Sequence, residues 1–320
     1  MSKINVLGVD ISKSTFDVAL LLEGKVKTKK FDNKIKGFSE LVEWLKKKET
    51  DLHVCMEATG TYGEALATYL FDVGYTISVV NPAQIKGFSQ SELSRNKTDR
   101  ADAKLIARYC LALNPKPWAP KPPHVRELQA WVRRLEALQS MYFQENNRLE
   151  ISSDNVRASI EKMIKKLIEE IEEVKKKIHD HIEQYPDLRT KSNLLETIPG
   201  VGEATIAQVL AFIGNVEDFK SAKQLAAFVG LNPKQHQSGT SVRGRTRLSK
   251  IGNSNLRKAF YMPAVVAKRH NPTIKKFCDR LKKAEKPTML IIGAAMRKLV
   301  HIIYGVLKSG KPFDANLGTV

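Results

Sequence analysis

Five prolines between Pro115 and Pro123 divide this chain of 320 residues into stretches of different periodicity. No regular element runs through such a cluster, because proline lacks the backbone donor and fixes φ. Before it, apolar residues come in short strand-length runs. After it, they recur at helical and heptad spacing. The chain is therefore expected to fold as an α/β part followed by an all-α part, and its length allows two domains with a connector.

Residues 4–10 form an apolar run ending in an aspartate, residues 16–22 read as a second strand, and residues 25–31 alternate with the period of a third. An amphipathic segment, 36–48, places Phe38, Leu41, Val42 and Leu45 at helical spacing. A buried strand at 53–57, a helix at 62–73, a strand at 76–80 ending at Asn81-Pro82, and a helix from near Thr98 complete the stretch. Three hairpin-connected strands, then helix–strand–helix–strand–helix, is the ribonuclease H order of elements. The first domain is expected to span 1–114.

The connector is placed at 115–190. Leu128, Val132, Leu135, Leu138 and Tyr142 make one apolar seam; Ile160, Ile164, Leu167, Ile171, Val174 and Ile178 make another in steps of four and three, with Glu and Lys on the flanks. An antiparallel hairpin and an intermolecular coiled coil both satisfy this spacing, and a connector that also dimerises is the preferred reading. The third region, 191–320, opens with a helix–hairpin–helix pattern whose Gly200-Val201-Gly202 turn would offer backbone N–H groups to a DNA phosphate. An ordinary tight corner between helices is the alternative. The apolar helix at 289–306 contains Arg297, Lys298 and His301, which makes it a core helix and not a membrane span.

Lys and Arg outnumber Asp and Glu by 53 to 34, a net charge of +19. That excess favours a polyanionic partner, nucleic acid first. No membrane role is expected, since there is no run of about 18 apolar residues and the opening MSKINVLGVD lacks signal-peptide design. Cys55, Cys110 and Cys278 are widely spaced in sequence and include no CxxC pair. They read as small buried hydrophobes in a reducing cytoplasm, not as a disulfide framework or zinc knuckle. The expected location is cytoplasmic, at a prokaryotic nucleoid.

Asp10 ends the first strand, Glu57 ends the fourth, and Asp99 and Asp102 lie three apart on one helix face. The ribonuclease H order makes the first and fourth strands neighbours, so these acids should converge. Gathered carboxylates repel unless a divalent cation sits among them, and all-oxygen ligands suit Mg²⁺ or Mn²⁺. Taken singly, Asp10 caps a turn and Asp99 or Asp102 pairs with Arg100 or Lys104; the set of four is harder to dismiss. Actin-like sugar kinases open in a similar way, but they duplicate the domain, whereas the second half here is helical and basic.

The stretch Gln237-Ser238-Gly239-Thr240-Ser241-Val242-Arg243-Gly244-Arg245 lies in a segment with no acid between Phe219 and Cys278. A serine in so cationic a loop suits attack on a phosphodiester, with Arg243, Arg245, Arg247 and Lys250 holding the phosphate. The alternative is a basic DNA-contacting loop in which Ser238 only hydrogen-bonds a phosphate.

With both ends read, the chain resembles insertion-sequence transposases that pair a DEDD-type RuvC-like domain with a C-terminal transposase domain. These are relatives of pilin-gene DNA invertases and are known as RNA-guided bridge recombinases. The resemblance rests on GVDISKSTFDVAL, MEATGTYGEAL, NKTDRADAKLIARY, IPGVGEATIAQVLAFIG and FVGLNPKQHQSGTSVRGRTRLSKIGNSNLRKAFYMPAVVA, which span nearly the whole chain. It implies that Asp10, Glu57, Asp99 and Asp102 bind metal and that Ser238, ahead of Ser241, is the nucleophile. Gly239 and Thr240 stand where many relatives have two glycines, which stiffens the loop.

The resemblance further implies a covalent phosphoserine intermediate, a free 3′-hydroxyl and rejoining to another strand. A structured non-coding RNA would pair with donor and target DNA. A homo-oligomer is implied, a dimer or a dimer of dimers, with acids and serine drawn from different protomers. Two other readings follow from the residues: a metal-dependent Holliday-junction-type endonuclease in which water attacks, and a non-catalytic nucleic-acid scaffold.

Overall fold

The computed structural model describes residues 5–46, 52–58, 60–92, 98–234, 237–238, 242–243 and 247–316. The chain divides into two compact units, Met1–Pro120 and Lys121–Val320.

The first unit is built on five strands: β1 (Asn5–Ile11), β2 (Thr15–Leu22), β3 (Lys25–Asp32), β4 (Leu52–Glu57) and β5 (Thr76–Val80). Their order is β3-β2-β1-β4-β5. β2 is antiparallel to both β1 and β3, while β4 is parallel to both β1 and β5. The first and fourth strands are thus neighbours, as the order of elements requires. Alternation along β1 divides its side chains between two cores. Leu7, Val9 and Ile11 join a cluster with Phe38, Leu41, Val42 and Leu45 of α1 (Ile35–Lys46) and Leu66, Ala67 and Leu70 of α2 (Glu64–Asp72). On the other face Val6 meets Ile85 of α3 (Pro82–Ser91) and Ala103, Ile106, Ala107 and Cys110 of α4 (Asp99–Leu113).

The helix α3 is additional to the elements expected from the sequence, in which the helix after Asn81-Pro82 begins near Thr98. Its start signal is nevertheless present. Asn81 caps it, its side chain accepting from the Ala83 N–H at 2.9 Å, and Pro82 occupies the first turn. Thr98 caps α4 in the same way, accepting from Ala101 N–H.

The proline-rich stretch ahead of Lys121 is tied to the first unit's sheet. The Trp118 N–H donates to Ile77 O at 2.6 Å, and the buried Ser78 hydroxyl lies 2.9 Å from both Pro115 O and Lys116 O. All three cysteines are free and buried. Cys55 and Cys110, far apart in sequence, are close in space, and contact between them together with burial pushes the Cys55 thiol up.

The second unit begins with two long helices, α5 (Pro123–Ile151) and α6 (Asp154–Gln184), packed on each other within the chain. Leu128, Val132, Leu135 and Leu138 on α5 are buried, as are Leu167, Ile171, Val174 and Ile178 on α6, so the heptad spacing serves an intramolecular hairpin. Then come α7 (Pro186–Glu196), the short α8 (Glu203–Gln208) running into a π-helical turn at Val209–Ile213, and α9 (Ala222–Val229). Four two-residue strands follow: β6 (Pro233–Lys234), β7 (Gln237–Ser238), β8 (Val242–Arg243) and β9 (Arg247–Leu248). The chain closes with α10 (Ser254–Ala259), α11 (Tyr261–His270), α12 (Pro272–Lys283) and α13 (Thr288–Ser309).

α13 is long and apolar enough to cross a membrane. It packs instead against α7, α9, α11 and α12, burying Ile291, Ala295, Leu299 and Ile303, which makes it the core helix its internal charges implied.

Candidate functional site

Asp10 lies near the end of β1 and Glu57 ends β4, so parallel pairing of these strands sets both acids at one end of the sheet. Asp99 and Asp102 stand in the first turn of α4. What brings that helix to them is Gly8. A Cβ at this position would fall inside van der Waals contact with the Ala103 carbonyl and the Ala107 amide. With hydrogen in its place, the α4 backbone rests directly on β1. Gly8 and Asp10 point to the same face, two residues apart, so the seat at Ala103 carries Asp102 and Asp99 towards Asp10.

The electrostatics register this approach. Partial burial, followed by the charges of Asp102, Asp99, Glu57 and Asp17, raises the Asp10 carboxyl from 3.8 to about 6. Among the described residues, no group of three or more His, Cys, Asp or Glu side chains is gathered closely enough to form a metal centre. The four acids thus share a field without closing to ligand spacing. An oxygen-only donor set with excess negative charge fits a hard divalent cation, and Asp10, Glu57, Asp99 and Asp102 are the side chains that would hold it.

Sequence reasoning missed two residues of this neighbourhood. Asp17 pairs directly opposite Asp10 across the β1–β2 ladder and is buried. Lys30 pairs opposite Asp17 on β3 and places its Nζ 3.4 Å from the Asp17 carboxylate. Asp10, Asp17 and Lys30 thus form one cross-strand row. The strand boundaries in the sequence contain the signal, since hairpin register alone aligns the three.

In the second unit the serine segment forms two short ladders nested in sequence. Pro233 and Lys234 pair with Leu248 and Arg247, and Gln237 and Ser238 pair with Arg243 and Val242. Ser238 therefore has backbone placement in β7. Its side chain, that of Arg243, and all of Gly239, Thr240, Ser241 and Arg245 lie outside the described residues. Arg247 and Lys250 are exposed.

The base of this arm is closed from both sides. Arg257 Nη1 donates to Val229 O at 3.4 Å and to Lys250 O at 3.2 Å; Arg297 Nη1 donates to Leu231 O and to Asn232 Oδ1. The Ser249 N–H reaches Asn232 O at 2.8 Å, and Gly293 of α13 leaves room for Leu248. Neither arginine stood out in the sequence as an anchor, because its carbonyl partners come from other segments.

At the turn after α7, Gly200 has φ of +98°, and a Cβ would lie 2.8 Å from Ala267 of α11. Left-handed backbone and close packing account for glycine there. Gly202 is exposed, with open space where a Cβ would stand.

Comparison with known proteins covers both units. A family of transposases, the DEDD transposases of IS110 elements, matches residues 7–151. The transposase IS116/IS110/IS902 family matches residues 192–279. The chain is similar to the pilin gene-inverting protein of Moraxella bovis, 36% identical over 99% of each chain, and to that of Moraxella lacunata, 35% identical over the same share. It is also similar to the transposase of insertion sequence element IS1111A from Coxiella burnetii, 27% identical over 86% of this chain and 82% of that one.

Proposed function

The chain belongs to the IS116/IS110/IS902 family of insertion-sequence transposases and is a DNA transposase or site-specific recombinase; from that premise we propose that it cuts and rejoins DNA through a covalent bond to Ser238. In the proposed step the Ser238 Oγ bonds to phosphorus as the bond from phosphorus to the 3′-oxygen breaks. The hydroxyl proton ends on that departing oxygen. In the return step a 3′-hydroxyl of another strand attacks the phosphoserine, takes the phosphate and releases Ser238. Each step exchanges one ester for another, so no ATP is consumed.

A serine hydroxyl is a weak nucleophile at neutral pH. Arg247 and Lys250, exposed at the base of the arm, together with Arg243 and Arg245, neutralise the phosphate it attacks. Asp10, Glu57, Asp99 and Asp102 hold a divalent cation in this proposal, Mg²⁺ or Mn²⁺. Such an ion, when bound, polarises the phosphodiester and stabilises the leaving oxygen. The N-terminal unit is read as RuvC-like, and the Gly202 turn as a helix–hairpin–helix contact to DNA. A structured guide RNA and a homo-oligomer, dimer or dimer of dimers, belong to the same proposal. Exposed Phe143, Met163 and Ile168 on the α5–α6 hairpin support assembly.

The observation that carries the reading is the seat of α4 on Gly8, which brings Asp99 and Asp102 to the Asp10 carboxyl beside Glu57 of β4. The test is denaturing electrophoresis of protein incubated with its DNA. A covalent protein–DNA adduct is expected for the wild type and lost in Ser238→Ala. Cleavage that survives Ser238→Ala without an adduct selects instead a water-using, metal-dependent endonuclease. Recombination by protein free of RNA removes the guide from the proposal.

A further inference from the structure

Among the described residues β3 forms one edge of the first unit's sheet, and it carries four lysines in six residues: Lys25, Lys27, Lys29 and Lys30. Every residue from 25 to 30 is exposed. At about 3.3 Å per residue, Lys25, Lys27 and Lys29 recur roughly every 7 Å on one side of the strand, while Lys30 turns to the other. Lys30 has Asp17 as its acid partner, and Lys29 lies 4.8 Å above the Phe31 ring. Among the described residues, Lys25, Lys27 and Lys29 have no ion pair.

An exposed sheet edge must be protected from pairing with other strands, and a lysine or two accomplishes that. Four lysines do more than guard. Lys25, Lys27 and Lys29, without an ion pair among the described residues, lay a line of positive charge beside the strand's outward N–H and C=O groups. The line also leads to a defined place. Lys30 is the outer member of the row that runs through Asp17 to Asp10. A chain of negative charges lying along β3 would arrive at the acidic end of the sheet.

We propose that β3 is a track for a nucleic-acid backbone, with Lys25, Lys27 and Lys29 each neutralising a phosphodiester and Lys30 marking the end next to the carboxylates. The ligand class is a phosphodiester chain, DNA or RNA. The proposal rests on the recombinase reading above for the presence of nucleic acid. It adds a binding surface distant in sequence from the serine arm.

The experiment measures how the affinity of the full chain depends on salt, for duplex DNA, single-stranded DNA and single-stranded RNA. The variants are Lys25→Gln/Lys27→Gln/Lys29→Gln together and a control with the same loss of charge on α6, Lys175→Gln/Lys176→Gln/Lys177→Gln. Each lost phosphate contact lowers the slope of log affinity against log salt by about 0.9 on duplex and about 0.7 on single strands. The β3 variant should therefore lose about two to three units of slope on at least one nucleic acid, and the α6 control little. The nucleic acid showing the loss is the occupant.

An unchanged slope on all three would overturn the track and leave the lysines as edge guards. An equal loss in the α6 control would also overturn it, as an effect of net charge. If the triple variant leaves solution, Lys27→Gln alone should lower the slope by about one. Adduct formation by the wild type is scored in the same preparations. An adduct with an unaltered β3 slope rejects the track and keeps the recombinase; a normal slope loss without an adduct does the reverse.

Discussion

In the first unit the acids stand on a sheet covered on both faces, and α4 meets β1 backbone to backbone at Gly8. In the second unit Ser238 stands on a strand of two residues, in an arm whose base is held by hydrogen bonds from Arg257 and Arg297 to backbone and side-chain oxygens. Close packing fixes position to a fraction of an ångström, because dense cores resist displacement. Hydrogen bonds at the base of the arm fix where it starts. The proposed chemistry would have the same division: a cation needs converging ligands in place beforehand, whereas a serine nucleophile has to approach a phosphate and then withdraw from it.

The sharpest way to break this comparison is to add one methyl group to each unit. Gly8→Ala drives a Cβ into backbone atoms of α4, which cannot yield as a side-chain end can. Overpacking of this kind costs about 1–3 kcal/mol or more. Displacing the acids by about 1 Å is expected to reduce strand exchange roughly 100-fold. Gly293→Ala places its Cβ 3.3 Å from Leu248 Cδ1, the end of a flexible side chain. There the helix gains about 1 kcal/mol from the loss of glycine, offset by that contact, so the net change should stay below about 1 kcal/mol. Urea denaturation of both variants checks the pair. Equal losses would show that the two units are packed alike.

A smaller effect is expected at the arm. Arg257→Gln and Arg297→Gln each remove a charged donor from carbonyls at its base. Adduct formation should slow about tenfold, equivalent to about 1.4 kcal/mol of barrier, with little change in cooperative unfolding. Single-turnover adduct kinetics beside a melting curve separate the two. A large fall in stability at normal adduct rate would make these arginines ordinary structural residues.

The smallest effect sharpens the electrostatic side. In the first unit burial lowers the His53 imidazole below its ordinary 6.5, its ring 2.8 Å from the Ser78 hydroxyl. His301 in the second is held below its ordinary 6.5 by burial first, then by Arg297, Lys298 and Lys223. Unfolded imidazoles take a proton near pH 6.5 and the folded ones resist, so the unfolded state binds more protons below that pH. Stability is full above pH 6.5 and falls as pH drops through the window beneath it. Salt of about 1 M screens the cations around His301 but not the desolvation of His53. The acid loss due to His301, isolated by comparing His301→Gln with the parent, should shrink in salt, and that due to His53 should not. Equal salt responses would remove the distinction.

Much of the first unit is legible in the sequence because its strands are short apolar runs with a clear period. The four acids are marked by their places at strand ends and in a capped first turn. The helix at Pro82 was legible too, from its Asn-Pro start, though its polar surface hides the periodicity. Asp17 and Lys30 were harder to single out, since each is an unremarkable strand residue until register aligns them with Asp10. In the second unit the heptad seam specifies two helices that must pair, but spacing is satisfied equally by a partner helix in the same chain or in another.

By itself, then, the sequence determined the change from strands to helices at the prolines, the basic excess, the positions of the acids and the acid-free setting of Ser238, because period, charge and capping act between residues near one another in the chain. Tertiary structure alone decided that α5 pairs with α6 of its own chain, that α4 lies on Gly8, that Lys30 joins the row of Asp10, and that Arg257 and Arg297 close the base of the serine arm. Those outcomes depend on which distant backbones come close enough to touch, and excluded volume and cross-strand register settle that only once the whole unit is packed.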